Sequence, residues 1–300
     1  MPSKNKKKPK IIWLQSITCN GNSHSFLNHP ELFFILSNFE MLYHPFLESK
    51  YSLKDIFNKS IKCDILILEG AFRKEGLKKF NKEVYEVALS YASSAKHIIT
   101  AGTCATFGGV FKEYDKDNIS GFCFDAQNYL DNFNIYKDRL ISLPGCPIHP
   151  KWLSFVLQMI ENKKDIALDE LNRPLELYSS TIHQGCSRSE YFEWKVDTKG
   201  FGYKEGCMFY ELGCQAPFTH GSCNKILWND VSSKTNIGTP CFGCTEPEFP
   251  KTNLFSTPTN MGIPKKVPLG ISKRAYLTVT GIAKGFKFQR LESRLINYED

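Results

Sequence analysis

Residues 10–25, KIIWLQSITCNGNSHS, indicate the fold class. The first six form a short apolar run that is typical of a buried strand, and a polar loop, Ser16 to Ser23, follows directly. The same alternation continues, with further strands predicted at 63–70, 97–102 and 139–145 and helices predicted at 26–39, 76–94 and 152–162. Strands that alternate with helices predict βαβ units, and therefore an α/β domain built on a parallel sheet.

Three cysteines follow predicted strands at a distance of a few residues. Cys19 follows the first strand, Cys104 the third and Cys146 the fourth. Because the carboxyl ends of parallel strands meet at one edge of the sheet, where ligands bind, these three thiols are predicted to lie together. Cys63 begins its strand and belongs to the opposite edge, and Cys123 lies in a polar connection, so both are interpreted as ordinary thiols.

The chain changes character after about Leu177. Six of the eleven cysteines fall between Cys186 and Cys244, where long apolar periodic segments disappear and Gly, Pro, Asn and Thr become frequent. A loop-rich segment of this kind buries too little regular core to hold itself, and metal centres can supply the missing stability. We therefore expect a flexible basic tail at 1–10, an α/β domain at 11–177 and a metal-binding domain at 178–300.

Two runs in the second half carry sets of metal ligands. The first offers one imidazole and three thiols, from His183, Cys186, Cys207 and Cys214. The second offers three thiols, from Cys223, Cys241 and Cys244. Zinc is one candidate, since four-coordinate Cys/His sites are its usual environment. Three thiols without a fourth nearby fit a 3Fe–4S cluster better than a closed zinc site. Spacing alone leaves both metals open.

Composition indicates a folded protein of a reducing compartment. Hydrophobic residues make up 42% of the 300 residues and charged residues 23%, which argues against disorder. No run approaches the ~18 apolar residues of a membrane span, and no export signal is recognisable, so we expect a cytoplasmic protein that is at most peripheral to the membrane. Five lysines in the first ten residues supply most of the net charge of +7. No nucleic-acid-binding motif accompanies them, so nucleic acid is not an expected partner.

Motifs spread through most of the chain resemble the small, electron-transferring subunit of nickel–iron hydrogenases. They occur in the order of that family: Trp13-Leu14-Gln15 with Cys19-Asn20-Gly21, Leu68-Glu69-Gly70-Ala71, Gly102-Thr103-Cys104-Ala105 with Gly108-Gly109, Pro144-Gly145-Cys146-Pro147, His183-Gln184-Gly185-Cys186-Ser187-Arg188, Gly213-Cys214-Gln215, Trp228-Asn229 and Pro240-Cys241-Phe242-Gly243-Cys244-Thr245-Glu246-Pro247. A single C-x2-C pair is unspecific, whereas this many motifs in order make a specific resemblance.

The resemblance implies a flavodoxin-like domain followed by a loop-rich iron–sulfur cluster domain. It also implies three clusters in a line, leading from a nickel–iron centre in a separate large subunit, with which such a chain forms an obligate heterodimer or a higher oligomer. Carried over by position, the implied ligands are Cys19, Cys104 and Cys146 for a proximal cluster, Cys223, Cys241 and Cys244 for a medial cluster, and His183, Cys186, Cys207 and Cys214 for a distal cluster.

The sequence departs from the family pattern at the first site. Most members have a second cysteine where this chain has Asn22, so the proximal cluster is expected to be 3Fe–4S, or 4Fe–4S with Asn22 or another oxygen donor at the fourth iron. The common glutamate two residues later is replaced by His24, which is either a proton relay or an ordinary loop histidine. No cysteine lies between Cys223 and Cys241, which favours a 3Fe–4S medial cluster. The distal cluster is expected to be 4Fe–4S.

The expected function is electron relay in a cytosolic hydrogen-oxidising hydrogenase that resembles the group 2 enzymes. Hydrogen would be split in the large subunit, and its electrons would leave one at a time through the clusters. Two alternatives stay open. One is the small subunit of a hydrogen-sensing complex, marked by slow turnover and a kinase-linked partner. The other is a zinc-stapled structural or interaction protein without a redox role. The sequence does not identify the electron acceptor.

Overall fold

The computed structural model describes residues 7–251, 259–260, 263–264 and 270–283. The chain divides into two compact units, the first made of Met1–Glu176 and Pro247–Phe249 and the second of Leu177–Glu246 and Pro250–Asp300. Part of the predicted basic tail lies outside the described residues, and Lys10 is the first residue of a strand. No helix among the described residues is long and apolar enough to cross a membrane.

The first unit is built on a five-stranded sheet. Its strand order is β11-β7-β3-β1-β2, and all neighbouring strands are parallel. The strands among the described residues are β1 Lys10–Gln15, β2 Glu40–Tyr43, β3 Ile65–Glu69, β4 Phe72–Arg73, β5 Lys78–Lys79, β6 Lys82–Glu83, β7 His97–Ala101, β8 Ile119–Ser120, β9 Phe124–Asp125, β10 Asn128–Tyr129, β11 Leu140–Leu143, β12 Thr259–Asn260 and β13 Ile263–Pro264.

Helices cover the sheet and form most of the regular structure in the rest of the described part of the chain. They are α1 Gly21–Leu27, α2 Leu32–Ser37, α3 Leu53–Asn58, α4 Val84–Ser94, α5 Thr103–Phe107, α6 Gly109–Lys112, α7 Asp131–Tyr136, α8 Pro150–Glu161, α9 Leu175–Tyr178, α10 Ser189–Glu193, α11 Phe209–Leu212 and α12 Lys273–Ala283, with 3-10 turns at Ile182–Gly185 and Ala216–Phe218. Local signals begin several of them. Pro150 occupies the first turn of α8, and a capping box of Ser52 and Asp55 begins α3.

The sheet is buried on both faces, and this burial explains its apolar sequence. Successive residues of β1, from Ile11 to Leu14, point to opposite faces, and all are fully buried. Every residue of β3 and of β11 is buried as well. The strand order with β1 between β2 and β3 is that of flavodoxin-like folds. The predicted α/β class with a parallel sheet is therefore confirmed.

Two predicted helices are wrong as single elements. The segment at 26–39 contains the end of α1 and the whole of α2, because Pro30 has no N–H to donate and restricts the residue before it. The segment at 76–94 begins with the hairpin of β5 and β6, whose turn residues Phe80 and Asn81 both have positive φ. The helix α4 starts only after that hairpin.

The second unit has little regular structure among its described residues. Apart from α12, its helices have five residues or fewer. Its core combines apolar side chains with thiols, since Ile182, Phe192 and Phe209 pack with Cys207 and Cys214. Cysteines are thus part of the packing of this unit.

Candidate metal centres

The three predicted proximal cysteines lie at one edge of the five-stranded sheet. Cys19 and Cys146 follow β1 and β11 in loops, whereas Cys104 lies in the short helix α5 directly after β7. Two hydrogen bonds join the segments of Cys104 and Cys146. The N–H of Thr103 donates to the carbonyl oxygen of Gly145 at 3.0 Å, and the N–H of Gly145 donates to Thr103 Oγ1 at 2.9 Å. This arrangement supports the predicted convergence of the three cysteines on the carboxyl edge of the sheet.

The sulfur of Cys104 is enclosed by main-chain groups. Burial raises the pKa of the Cys104 thiol to about 11, against the opposing effect of the main-chain N–H groups of Val110 and Phe111 and with a further contribution from Cys19. Gly109, at φ +52°, lies so close that a Cβ there would be 2.8 Å from the sulfur. A side chain at this position would fill the space beside the thiol.

Glu69 organises the loop that carries Cys19. Its carboxylate is fully buried at the end of β3 and accepts hydrogen bonds from the main-chain N–H groups of Asn22 and Ser23, at 3.0 and 3.1 Å. It also accepts from Trp13 Nε1 and Gln15 Nε2, each at 2.9 Å, and from Ser23 Oγ. The carboxylate therefore ties the loop after β1 to the neighbouring strand.

Asn22 and His24 occupy different environments on α1. Asn22 is buried, and its Oδ1 accepts a hydrogen bond from the N–H of Ile148 at 2.9 Å. His24 is exposed, and its ring stacks on Phe46 with the ring centroids 5.1 Å apart. The role of His24 as a proton relay stays a prediction.

The four predicted distal ligands line one small pocket of the second unit. Its walls include His183, Cys186, Cys207 and Cys214. Arg188 also lines this pocket and is 3% exposed. Its guanidinium donates to three main-chain carbonyl oxygens, those of Thr235, Gly206 and Tyr203. The pocket thus brings together an imidazole, three thiols and a buried positive charge.

Main-chain N–H groups donate to each sulfur of this pocket. The donors are Arg188 N to Cys186 Sγ at 3.4 Å, Phe209 N to Cys207 Sγ at 3.4 Å and Cys241 N to Cys214 Sγ at 3.3 Å. Burial raises the pKa of the Cys207 thiol and of the Cys214 thiol to about 12. Burial also lowers the pKa of His183, which favours the neutral imidazole that can bind a metal.

The three predicted medial ligands lie close enough to influence one another. Cys244 and Cys241 both raise the pKa of the Cys223 thiol, after burial as the main cause. Burial raises the pKa of the Cys241 thiol, and Cys214 and Cys244 raise it further. Because the N–H of Cys241 donates to Cys214 Sγ, a predicted medial ligand and a predicted distal ligand are in direct contact.

The donor sets fit iron–sulfur clusters in their chemistry. Buried thiols with raised pKa values release their protons only when a cation replaces the proton, and iron supplies that charge. The N–H groups directed at the sulfurs are the kind of second layer that stabilises and tunes cluster thiolates. Among the described residues, no three Cys, His, Asp or Glu side chains lie close enough to hold a single metal ion.

Sequence reasoning missed the residues that organise these sites. Glu69 and Arg188 both lie in the quoted motifs, but the motifs alone assign neither of them a role. For Glu69 the available signal was an acid at the end of an otherwise apolar strand, since a buried carboxylate requires several donors. Cys63 and Cys123, interpreted as ordinary thiols, are buried in the core of the first unit. Burial raises the pKa of the Cys63 thiol to about 12.

Comparison with known proteins gives a consistent result. Residues 178–256 match the C-terminal family of the NiFe/NiFeSe hydrogenase small subunit, and residues 19–160 match the family described as NADH ubiquinone oxidoreductase, 20 kDa subunit. The chain is 30% identical over 288 residues to the F420 non-reducing hydrogenase I small subunit of Methanosarcina mazei, with 80% of this chain and 73% of that protein covered.

Two further matches, one in sequence and one in structure, come from Desulfomicrobium baculatum. Its periplasmic NiFeSe hydrogenase small subunit is 30% identical over 278 residues, with 81% of this chain and 85% of that protein covered. The crystal structure of a reduced, active form of the Ni-Fe-Se hydrogenase of this organism superposes with a TM-score of 0.69 at 26% identity, with 83% of this chain and 99% of that chain covered.

The flavodoxin-like sheet with thiols at its carboxyl edge, the cysteine-rich unit and the relatives together indicate an electron-transfer subunit of an oxidoreductase. Relatives at 30% identity are matched over more than two thirds of their length. The chain belongs to the family of small subunits of NiFe hydrogenases. It is therefore the electron-transfer component of a hydrogenase.

Proposed function

We propose that this chain carries electrons from a nickel–iron centre in a large subunit through three iron–sulfur clusters to an acceptor, in the direction of hydrogen oxidation. The observation that carries the proposal is the pocket of the second unit, where an imidazole and three thiols from separate segments come together. A distal 4Fe–4S cluster bound by His183, Cys186, Cys207 and Cys214 carries less negative charge than one with four thiolates. This difference raises its potential and favours the exit of electrons.

Contact between the ligand sets of the second unit supports a relay. The hydrogen bond from Cys241 N to Cys214 Sγ joins a medial ligand to a distal ligand, and electron tunnelling requires such short paths. We assign a 3Fe–4S cluster to Cys223, Cys241 and Cys244, because three thiols are available there. A proximal 3Fe–4S or 4Fe–4S cluster at Cys19, Cys104 and Cys146 receives the electrons first.

The large subunit is proposed to cover the loops of the proximal cysteines, because electrons must enter there. An exposed aromatic side chain beside the segment of Cys19 supports this site, since Phe46 is 46% exposed and its ring stacks on His24. Apolar surface of this kind marks protein interfaces. An obligate heterodimer interface should exceed ~2,000 Å² in buried area.

The cytoplasmic group 2 type is part of the same proposal. The relative from D. baculatum is named as periplasmic, so cell fractionation tests the location separately. A hydrogen-sensing role would differ from hydrogen uptake in its slow turnover and its kinase-linked partner. Both can be measured on the purified complex.

Anaerobic purification of the full chain from its host tests the proposal. We expect a nickel-containing large subunit to co-purify, iron and acid-labile sulfide to be present, and hydrogen to reduce the clusters as followed by electron paramagnetic resonance (EPR). Zinc without iron or sulfide, or a stable monomer with no large subunit, would contradict it.

A further inference from the structure

The carboxamide of Asn22 lies where the segments of the three predicted proximal cysteines meet. Asn22 is 6% exposed and belongs to the first of these segments by sequence. Its Oδ1 accepts a hydrogen bond from the N–H of Ile148 at 2.9 Å, in the third segment, and the carboxamide lies against Gly102, in the second. One side chain therefore contacts the segments that carry Cys19, Cys104 and Cys146.

The space around this carboxamide is shaped to hold it. A Cβ on Gly102 would lie 2.4 Å from Asn22 Nδ2 and 2.5 Å from Oδ1, so no side chain fits between them. Gly102 has φ +90°, which favours glycine. The main chain of Asn22 is fixed independently, because its N–H donates to Glu69 Oε1 at 3.0 Å.

The hydrogen bond to Ile148 gives Asn22 a role that needs no metal. Ile148 is fully buried, so its N–H depends on this acceptor. A neutral carboxamide is also a weak iron ligand compared with a thiolate, and one lone pair of its oxygen is already used by the N–H of Ile148. The fold therefore uses Asn22 to join loops at the position where a fourth thiol would stand in the family.

We propose that Asn22 is a positioning residue that fixes the three cysteine segments relative to one another, and that the proximal cluster takes no ligand from residue 22. The inference rests on the proposed function, in which these three cysteines bind that cluster. The acceptor oxygen of residue 22 should then determine how firmly the proximal cluster is held, and it should not determine how many irons the cluster contains.

The test compares Asn22→Leu and Asn22→Asp in the purified heterodimer with the wild type. Leucine has a similar shape but no acceptor, whereas aspartate keeps the oxygen that accepts from Ile148. Asn118→Leu is the matched control, because Asn118 is exposed and its side chain donates only to Asp115. The readouts are iron per chain, the EPR and Mössbauer spectra of the proximal cluster, the melting temperature, and the rate of iron loss to a chelator.

We expect Asn22→Leu to lower the melting temperature and to lose proximal iron roughly tenfold faster, as the loss of one hydrogen bond to a buried N–H implies. The spectrum of the cluster that remains should be that of the wild type. Asn22→Asp keeps the acceptor for Ile148, so it should lose proximal iron more slowly than Asn22→Leu without changing the spectrum; its melting temperature should stay below that of the wild type, because an acid is buried near Glu69. An iron ligand would behave otherwise, because leucine would remove one iron and aspartate would change the spectrum and the potential.

The loss of one iron in Asn22→Leu, or a changed spectrum in Asn22→Asp, would overturn the inference. If Asn22→Leu yields no cluster-loaded heterodimer, the spectrum of Asn22→Asp decides alone, since a carboxylate bound to iron cannot leave it unchanged. A wild-type heterodimer without iron would overturn the proposed function instead. In that case the melting temperatures still test the bridge between the loops, and equal values for Asn22→Leu and Asn118→Leu would refute it.

Discussion

Replacing Glu69 by glutamine should destabilise the loop that carries Cys19. The carboxylate accepts five hydrogen bonds between 2.5 and 3.1 Å, from Asn22 N, Ser23 N, Ser23 Oγ, Trp13 Nε1 and Gln15 Nε2. Glutamine presents one oxygen and one NH2 group in place of two oxygens. The donors around one of the two positions therefore lose their acceptor, and the negative charge that strengthens the other bonds disappears.

The size of the effect follows from what these donors can do. The hydroxyl of Ser23 and the carboxamide of Gln15 can turn round and accept from the new NH2 group, but the indole of Trp13 can only donate. At least one buried donor is left unsatisfied, at about 1–3 kcal/mol, and the remaining bonds lose the strengthening by charge. We expect a destabilisation of about 2–4 kcal/mol, which lowers the melting temperature by roughly 5–15 °C.

Calorimetry of the purified heterodimer, together with iron analysis, measures this effect. Glu86→Gln is the control, because Glu86 is exposed on α4 and surface substitutions change stability by about 0.5 kcal/mol or less. The proximal cluster should be lost before the medial and distal clusters when the Glu69→Gln protein is warmed. A Glu69→Gln heterodimer that melts with the control and keeps all its iron would show that the carboxylate does not hold this loop.

Three further predictions concern other contacts. Burial lowers the pKa of His44 to about 4, so the free energy of unfolding should fall by about 3 kcal/mol as the pH drops from 6.5 to 4. In His44→Phe, the free energy of unfolding should depend less steeply on pH across this range. An equal dependence in the variant and the wild type would contradict the role given to His44. Gly109→Ala places a Cβ 2.8 Å from the Cys104 sulfur and should reduce the iron content of the proximal cluster. A full iron content would show that the main chain at residue 109 can move away from the sulfur. Arg188→Met removes a buried positive charge from the distal pocket and should make the reduction potential of the distal cluster more negative in an EPR-monitored titration. Arg188→Lys keeps the charge and should preserve the potential. The same potential in Arg188→Met as in the wild type would show that the charge has no effect there.

The sheet could be predicted because its strands are continuous apolar runs buried on both faces. The runs around Trp13, Ile67 and Ile99 leave no competing assignment once helices are placed between them. The strand β2 was missed because only Leu42 of its four residues is buried, so no alternation is visible in the sequence. A single proline decided the break between α1 and α2, which periodicity alone does not detect.

The cysteines of the site were visible in the sequence, and their surroundings were not. A thiol after a strand indicates an edge of the sheet, but nothing local reveals that Asn22 accepts from Ile148, which lies 126 residues away. The five bonds of Glu69 likewise join segments about 50 residues apart, and they exist only because β1 and β3 are neighbours. Contacts of this range are set by topology.

Diffraction from crystals of the heterodimer, with anomalous maps at the iron and zinc edges, would locate the metal at each set of ligands. We expect three separate iron sites in this chain, one beside Cys19, Cys104 and Cys146, one beside Cys223, Cys241 and Cys244, and one beside His183, Cys186, Cys207 and Cys214. In this assignment, the first of the three is the iron site nearest the large subunit. A zinc-edge signal at either set of the second unit, or the lack of iron beside any one of the three sets, would contradict it.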